Sequence, residues 1–306
     1  MKCIFIYNPK SGKGKVKKWL GYIKEQLETK FDQVDIYETK SQEDTINAAR
    51  AACGKYDALI FSGGDGTFND IACGVASEPV RPVLGYLPSG TVNDIARNLR
   101  IPRNIKRALK IVLEGNTIRH DVGKVNDFYF MYVVATGTFT GSSYRTKHDL
   151  KRIFGRIAYA FDGIREFLNP MLAKIRIKFE DRTIEAETPL VLVLNSISVA
   201  GIPFHKNGHL NDGNFDIVIV KKGFRRGIFN VIRLFLYGLV SLRKRRLLDF
   251  YRANSFTIET EGEPCWTMDG QEGPKGTIQI ENLHNHLEIF VPFRRRNAKA
   301  KSKYFK

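Results

Sequence analysis

The chain has 306 residues and a mass of 34.9 kDa, which is long enough for two domains with buried cores. Hydrophobic residues make up 43% of it and charged residues 26%, a globular composition that excludes a largely disordered protein. The 49 Lys and Arg residues against 32 Asp and Glu residues give a net charge of +17. This excess indicates an anionic partner, which is a nucleic acid, a membrane surface or a phosphorylated substrate.

The first 120 residues alternate between short apolar runs and helical patterns. The apolar runs predict strands at Lys2–Tyr7, Val34–Tyr37, Ala58–Phe61 and Val83–Leu87. The other patterns predict helices at Val16–Leu27, Thr45–Cys53, Phe68–Val75, Val92–Leu99 and Ile105–Leu113. Such alternation predicts a parallel sheet covered by helices, with ligands bound at the carboxyl ends of the strands.

After Asp121 the chain becomes rich in strand-forming residues. Strands are predicted at Phe128–Ala135, Ala173–Phe179, Glu185–Leu194, Phe215–Val220, Ser255–Thr260, Thr277–Glu281 and Leu287–Val291. Two helices are predicted among them, at Leu150–Phe167 and Ile228–Leu242. The sequence therefore predicts an α/β domain over residues 1–122 and a second, mainly antiparallel domain over residues 123–285.

No pattern of a secreted or membrane-spanning protein is found in the sequence. The N-terminus runs directly into the apolar residues Cys3–Tyr7, which are too few for a signal peptide. The apolar stretch Ile228–Leu242 is interrupted by Asn230 and Arg233, whereas a spanning helix needs about 20 mostly apolar residues. The four cysteines form no C-x-x-C pair and match no zinc-ligand spacing. We therefore expect a cytoplasmic protein with reduced thiols.

Three glycine-containing segments follow predicted strands. The first, Asn8–Lys15, combines glycines that let the backbone approach a phosphate with lysines that neutralise it. Its spacing matches neither a Walker A loop nor the dinucleotide fingerprint. By itself this segment is equally typical of a basic turn.

The second segment, Ser62–Thr67, reads Ser-Gly-Gly-Asp-Gly-Thr and is typical of a phosphate cradle at a helix N-terminus. Asp65 in this segment could orient water on Mg²⁺, and the alternative is a helix N-cap in a glycine-rich turn. The third segment, Leu87–Arg97, lies at the next strand-to-helix junction. There Asn93 and Asp94 are expected to face the same crevice as Asp65, and the alternative is a capping box formed by Thr91 and Asp94.

Together these segments resemble the diacylglycerol kinase catalytic-domain family, which includes bacterial soluble lipid kinases and sphingosine kinases. The chain carries the patterns N-P-x-S-G, G-G-D-G-T and P-x-G-T-x-N-D-x-A-R in order and at family spacing. The second pattern is shared with NAD kinases, so a kinase with a soluble substrate is the alternative. The Asn93–Arg97 segment favours the lipid kinases.

This resemblance implies a fold and an activity. The fold is an NAD kinase/phosphofructokinase-like α/β N-terminal domain with a parallel sheet, followed by a mainly antiparallel β-rich C-terminal domain. Residues 286–306 would return to the first domain, and a homodimer is possible. The activity is ATP-dependent, Mg²⁺-assisted phosphorylation of the hydroxyl of diacylglycerol or a related lipid alcohol in the cleft between the domains.

The resemblance also implies the ligand-binding residues. The nucleotide would be held by Asn8, Pro9, Lys10, Ser11, Gly12, Thr39, Gly64, Asp65, Gly66, Thr67, Asn69, Asp70 and Thr91. Asp65 and Asp94 correspond to the carboxylates that organise water and the catalytic Mg²⁺. Phosphoryl transfer needs positioning and charge neutralisation more than covalent chemistry, and these groups supply both.

A fourth segment, Leu210–Asp216, resembles the family's D-D-G segment, which holds a structural Mg²⁺ in bacterial members. By position, the ligands would be the side chain of Asp212 and the carbonyls of His209 and Asn214. In this chain Asn211 replaces the first acid of the pattern, which removes one negative charge.

The chain departs from the family at the catalytic base, which is a glutamate in an Asp-Gly-Glu turn. This chain reads Asp269-Gly270-Gln271-Glu272, and an amide cannot accept a proton at neutral pH. Three interpretations follow. Activity persists at a reduced rate, Glu272 replaces the base, or the protein binds lipid or nucleotide with little turnover. We favour a functional lipid kinase with Gln271 in the catalytic position, because the other motifs are complete.

The basic excess is concentrated in two segments that contain no acidic residue. The segment Ile217–Leu248 has nine basic residues and apolar residues at helical spacing, and the tail after Phe293 has seven basic residues. Without these 16 residues the chain would carry 33 basic and 32 acidic residues. The pattern predicts a helix that docks on an anionic membrane surface, with a core helix as the alternative. We expect no nucleic-acid partner, because no nucleic-acid-binding motif is present.

Overall fold

The first half of the chain forms a parallel sheet flanked by helices. The structure is a computed structural model, and it describes residues 1–9, 16–137, 172–196, 198–199, 202–203, 210–221 and 248–293. Its elements are β1 Lys2–Tyr7, α1 Leu20–Glu28, β2 Gln33–Glu38, α2 Gln42–Ala52, β3 Ala58–Gly63, α3 Asp65–Ala76, β4 Val83–Pro88, α4 Asp94–Asn98 and α5 Ile105–Glu114. The four strands pair in parallel in the order β2-β1-β3-β4. Every residue of β3 is buried, as expected for a central strand covered on both faces. The predicted parallel sheet is confirmed.

The second half of the described chain is built of strands. They are β5 Thr117–Val125, β6 Phe128–Phe130, β7 Val133–Gly137, β8 Ala173–Lys178, β9 Thr183–Thr188, β10 Leu190–Leu194, β11 Ser198–Val199, β12 Ile202–Pro203, β13 Phe215–Val220, β14 Leu248–Ala253, β15 Ser255–Thr260, β16 Cys265–Met268, β17 Gln271–Lys275 and β18 Ile278–Phe290. Six of them form an antiparallel sheet in the order β14-β13-β10-β7-β16-β17. The mainly antiparallel character predicted for this half is therefore confirmed.

The longest strand, β18, connects the two halves of the molecule. Its first residues pair antiparallel with β15, and Ile289 near its end pairs in parallel with Leu84 of β4. The parallel sheet thereby becomes a mixed sheet of ten strands, β2-β1-β3-β4-β18-β15-β8-β9, with β5 beside β18 and β6 beside β5. The two strands predicted at Thr277–Glu281 and Leu287–Val291 are one strand, with an irregularity between Leu283 and Leu287.

Several strand boundaries differ from the prediction for local reasons. The predicted strand Glu185–Leu194 is divided into β9 and β10 at Pro189, which has no N–H to donate to a neighbouring strand. Strand β5 was not predicted, because the polar run Arg119-His120-Asp121 interrupts its apolar pattern. Likewise β6 and β7 replace the single predicted strand Phe128–Ala135.

The predicted helices at Leu150–Phe167 and Ile228–Leu242 lie outside the described residues. Among the residues that are described, no helix is long and apolar enough to cross a membrane.

The antiparallel sheet packs against the second-half strands of the ten-stranded sheet. Trp266 is fully buried between them, and its Nε1 donates a hydrogen bond of 2.7 Å to the carbonyl of Gly276. Phe130 stacks on Phe215 in the same core, with ring centroids 5.4 Å apart. This core fixes the position of the β16–β17 hairpin, which faces the helices of the first half.

Two glycine-containing loops pack directly on one another at the carboxyl ends of β3 and β4. The backbone N–H groups of Ser89 and Gly90 donate to the carbonyl of Gly63, at 2.8 and 3.2 Å. A Cβ atom on Gly90 would lie 2.5 Å from the Cα of Gly64 and 2.6 Å from Oδ1 of Asn93. These glycines therefore serve contact between the loops, in addition to any contact with a ligand.

We expect Gly90→Ala to lower the free energy of unfolding by about 1–3 kcal/mol, because the added methyl group would push the two loop backbones apart. Gly21→Ala is the matched control, since a Cβ on Gly21 meets no atom within 4 Å and Ala favours the helix by up to about 1 kcal/mol. Urea unfolding monitored by tryptophan fluorescence measures both changes. A Gly90→Ala protein as stable as the wild type would show that the loops do not depend on this close packing.

Candidate active site

Asp65 connects the two glycine-containing loops. It is the first residue of α3, and its Oδ1 accepts a hydrogen bond of 3.0 Å from the backbone N–H of Ile95 in α4. Helix α4 receives no side-chain hydrogen bond from its own N-cap residue, Asn93, which has a left-handed backbone with φ of 55°. The alternative capping box of Thr91 is therefore not formed, because a side chain from the neighbouring loop takes that role.

Residues 93 and 94 are held rigidly beside this contact. Asn93 accepts a hydrogen bond of 3.3 Å from the hydroxyl of Tyr86 and donates one of 2.8 Å to the carbonyl of Gly90. The side chain of Asp94 is only 3% exposed, and its Oδ1 forms an ion pair of 2.7 Å with Arg97. Both carboxylates of the predicted catalytic pair thus have fixed positions near the carboxyl end of β4.

Tyr132, which the sequence did not single out, lies close to both carboxylates. Burial raises the pKa of its phenol strongly, and the negative charges of Asp269, Asp65 and Asp94 raise that pKa further. Its hydroxyl donates a hydrogen bond of 3.1 Å to the backbone carbonyl of Asp269. Tyr132 therefore remains a neutral hydrogen-bonding group that lies between the two halves of the site.

The carboxylate of Asp269 anchors the β16–β17 turn. It accepts hydrogen bonds from the backbone N–H groups of Met131, Tyr132 and Val133, at 2.6, 3.0 and 2.9 Å. A fourth bond of 2.7 Å comes from Nδ2 of Asn69 on α3. Burial raises the pKa of Asp269 to about 6, although these four donors act in the opposite direction. The turn is thus fastened both to its own domain and to the helix that carries the glycine-rich motif.

Gln271, the first residue after this turn, lies in a ring of three side chains. Nε2 of Gln42 on α2 donates to Oε1 of Gln271 at 3.0 Å and to Oδ1 of Asp70 at 2.8 Å. The side chain of Gln271 also forms a hydrogen bond with Asp70. Burial raises the pKa of Asp70 to about 6, and the two amides lower it in part. The position of the expected base is therefore occupied by an amide that contacts a buried carboxylate.

Glu272 is placed differently from Gln271. It is exposed, and its Oε1 lies 3.6 Å from Sγ of Cys265 on the neighbouring strand. Successive side chains of a strand point to opposite faces, so Glu272 points away from the ring that Gln271 forms.

The predicted nucleotide-binding residues gather at one edge of the parallel sheet. Asn8 and Pro9 follow β1, Thr39 follows β2, residues 64–70 follow β3, and Thr91 follows β4. Thr39 is buried and donates its backbone N–H to the carbonyl of Tyr7 at 2.9 Å. The members Lys10, Ser11 and Gly12 lie outside the described residues. The described members thus share the edge at which parallel sheets bind ligands.

The predicted structural metal site is only partly described. Oδ1 of Asp212 accepts a hydrogen bond of 3.2 Å from the backbone N–H of Asn214, and Oδ2 forms an ion pair with Arg252. His209 lies outside the described residues, and within those residues no group of three or more His, Cys, Asp and Glu could hold a metal. The Asp212 carboxylate thus already has a cationic partner, and Mg²⁺ binding there stays a prediction.

Asp121 holds the same segment in place and was missed by the sequence analysis. Its buried carboxylate accepts hydrogen bonds from the backbone N–H groups of Gly213 and Asn285, each at 2.7 Å. The ring Nδ1 of His284 lies 3.1 Å from the same carboxylate. The irregularity in β18 is thereby tied to the loop that precedes β13.

The chain is similar to known kinases along nearly its whole length. The family model "Diacylglycerol kinase catalytic domain" matches residues 2–125, and "YegS C-terminal NAD kinase beta sandwich-like domain" matches residues 133–291. The diacylglycerol kinase of Staphylococcus saprophyticus subsp. saprophyticus is 35% identical over 291 residues, which cover 94% of both chains. The diacylglycerol kinase of Staphylococcus aureus strain MRSA252 is 34% identical, with 94% of this chain and 91% of that protein covered.

Solved structures agree with these matches. The crystal structure of a diacylglycerol kinase from Bacillus anthracis str. Sterne superposes with a TM-score of 0.80 at 29% identity, covering 95% of this chain and 97% of that one. A second crystal structure from this bacterium gives a TM-score of 0.84 at 30% identity, with 95% of each chain covered. The chain is therefore a kinase, and it belongs to the diacylglycerol kinase catalytic-domain family.

Proposed function

We propose that the protein is an ATP-dependent lipid kinase that phosphorylates the hydroxyl of diacylglycerol or a related lipid alcohol. The observation that carries this proposal is the hydrogen bond from Ile95 to Asp65. It joins the Gly-Gly-Asp-Gly-Thr loop to the Asn-Asp segment that distinguishes lipid kinases from NAD kinases. The diacylglycerol kinases that this chain resembles carry the corresponding activity in their names.

In this proposal the edge of the parallel sheet binds the nucleotide. The loop from Gly64 to Thr67 leads into the N-terminus of α3, where backbone N–H groups and the helix dipole favour phosphate oxygens. Asp65 keeps one carboxylate oxygen bonded to α4, which orients the other, and Asp94 is fixed by Arg97. This arrangement leaves the acceptor lipid to approach from the side of the β16–β17 turn.

The carboxylates of this edge fit a magnesium ion, because hard oxygen donors from one or two carboxylates are what Mg²⁺ takes beside phosphates. Asp65 and Asp94 would hold it, directly or through water. When bound, Mg²⁺ supplies positive charge against the phosphate oxygens during transfer. The chain itself supplies orientation, since both carboxylates are held by protein hydrogen bonds.

We expect the purified wild-type protein to transfer labelled phosphate from ATP to diacylglycerol in mixed micelles with Mg²⁺. Asp65→Asn should lower kcat at least 10²-fold, because it removes the charge that organises the metal. Asp127→Asn, an exposed residue in the turn between β5 and β6, is the control and should stay within twofold of the wild type. Phosphorylation of NAD but of no lipid alcohol in a panel of diacylglycerol, undecaprenol and sphingoid bases would contradict the proposal.

We also propose that the enzyme docks peripherally on anionic membranes through its two basic segments. Of the nine basic residues between positions 217 and 248, Lys221 is described, and it forms an ion pair of 2.8 Å with Asp249. The other eight and the seven of the tail carry the excess charge. Each would contribute about 1 kcal/mol near an anionic bilayer surface.

Replacing Arg294, Arg295 and Arg296 together by Gln should weaken binding to phosphatidylglycerol-containing vesicles at least tenfold. The reason is that three positive charges attracted by the anionic surface are removed. The matched control replaces the exposed residues Lys18, Lys55 and Lys275, which lie outside both segments, with Gln. Vesicle co-sedimentation at 50 and 300 mM salt measures both variants. An equal loss of vesicle binding in the two variants would mean that the net charge of the protein, rather than its tail, determines membrane binding.

A further inference from the structure

Asp70 differs from the other carboxylates around the candidate site in its partners. Asp65 caps α4, Asp94 forms an ion pair with Arg97, and Asp269 accepts four hydrogen bonds. Asp70 accepts from two neutral amides, Gln42 and Gln271, and no described cation pairs with it. A buried carboxylate with neutral partners keeps more of its basicity than one that is paired with a cation.

The ring also places Asp70 at the turn that carries residue 271. Asp70 follows Gly66 by four residues on α3, so both lie on the same face of the helix. The amide of Gln271 lies over that face, because a Cβ on Gly66 would be 3.7 Å from its Nε2. Asp70 is therefore the carboxylate that contacts the side chain in the position where a base is expected.

We propose that Asp70 is the proton acceptor of the kinase reaction and that Gln271 and Gln42 position its carboxylate. This inference rests on the proposed lipid kinase function. The O–H bond of the lipid hydroxyl breaks, and its proton passes to a carboxylate oxygen of Asp70. The hydroxyl oxygen forms a bond to the γ-phosphorus of ATP, and the bond to the β-phosphate breaks with its electron pair leaving on ADP. Asp70 then releases the proton to solvent.

An amide at position 271 suits this assignment. If residue 271 were a glutamate, two carboxylates would meet in the ring, and adjacent carboxylates hold a shared proton more tightly. Gln271 instead donates to Asp70 and accepts from Gln42, so hydrogen bonds join all three side chains while Asp70 is ionised. The ring of these three described side chains thus has one carboxylate, contributed by α3 rather than by β17.

Moving the carboxylate from α3 to β17 tests the proposal. Asp70→Asn should lower kcat for lipid phosphorylation by about 10²–10⁴-fold, the usual contribution of a general base. The double variant Asp70→Asn/Gln271→Glu restores a carboxylate to the ring and should recover at least tenfold of that loss. Asp127→Asn is the control for removing a carboxylate elsewhere, and thermal unfolding confirms that each variant is folded.

The pH profile separates a proton acceptor from a merely structural residue. The wild-type rate should fall as the pH drops below about 6, where Asp70 becomes protonated. Among the described residues, the groups facing Asp70 are the amides of Gln42 and Gln271 and, on α3 itself, the thiol of Cys73, whose pKa burial raises to about 12. Asp269 lies beyond them and raises the same thiol pKa. Asp269, whose pKa burial also raises to about 6, adds an acid limb of its own to every variant. Asp70→Asn should therefore lose only the part of the limb that Asp70 contributes, and the double variant should regain that part.

Two results would overturn the assignment while leaving the lipid kinase function intact. One is an Asp70→Asn enzyme whose kcat lies within fivefold of the wild-type value, above all if the Glu272→Gln enzyme is inactive. The other is a double variant no more active than Asp70→Asn alone. Wild-type protein that phosphorylates no lipid would overturn the proposed function and this inference together.

Discussion

The arrangement of the candidate site depends on one buried carboxylate, that of Asp269. It accepts hydrogen bonds from three backbone N–H groups, those of Met131 and Tyr132 between β6 and β7 and that of Val133 at the start of β7. The fourth donor is the side chain of Asn69 on α3. The β16–β17 turn is thereby fixed to both halves of the molecule. A buried donor left without its acceptor costs about 1–3 kcal/mol of stability. Four donors that share this acceptor therefore strongly favour one position of the turn. Because Gln271 follows two residues later, its place above Gly66 and Asp70 is a consequence of this anchor.

The first half of the molecule contributes a second, independent constraint. The loops after β3 and β4 touch at Gly64 and Gly90 without room for a side chain, and Asp65 crosses from one loop to cap the short helix of the other. Helix α4 has only five residues and would have little stability alone. Its N-terminal segment is therefore ordered by the neighbouring loop, and the same hydrogen bond fixes the orientation of the Asp65 carboxylate, which we propose holds the metal. In the proposed mechanism, stability and function therefore use the same contact.

Local features of the sequence were sufficient to predict much of the fold, and non-local ones were not. The apolar runs of the parallel strands and the limits of β13 and β15 follow from periodicity in a few consecutive residues. The sequence offered only Thr91 as a cap for α4, because the true acceptor, Asp65, is 30 residues away in sequence. Asp121 and Asp269 were likewise missed as anchors, because their hydrogen-bond partners are distant in sequence. Gly213 lies 92 residues from Asp121, and Met131 lies 138 residues from Asp269. For the same reason the two strands predicted separately were not recognised as the single strand β18, because its parallel pairing with β4 joins residues that are far apart in sequence.

Asp269 positions the second-half turn over the sheet edge of the first half, where we propose that the nucleotide binds. Asp269→Asn tests it directly, because the amide is the same size but turns an N–H group toward donors that need an acceptor. Lipid phosphorylation and ATP affinity are to be measured on the same preparation, the second by titration calorimetry. We expect kcat to fall at least 10²-fold while the Kd for ATP stays within fivefold of the wild type. Activity within fivefold of the wild type, or ATP affinity lost in parallel with activity, would contradict this account.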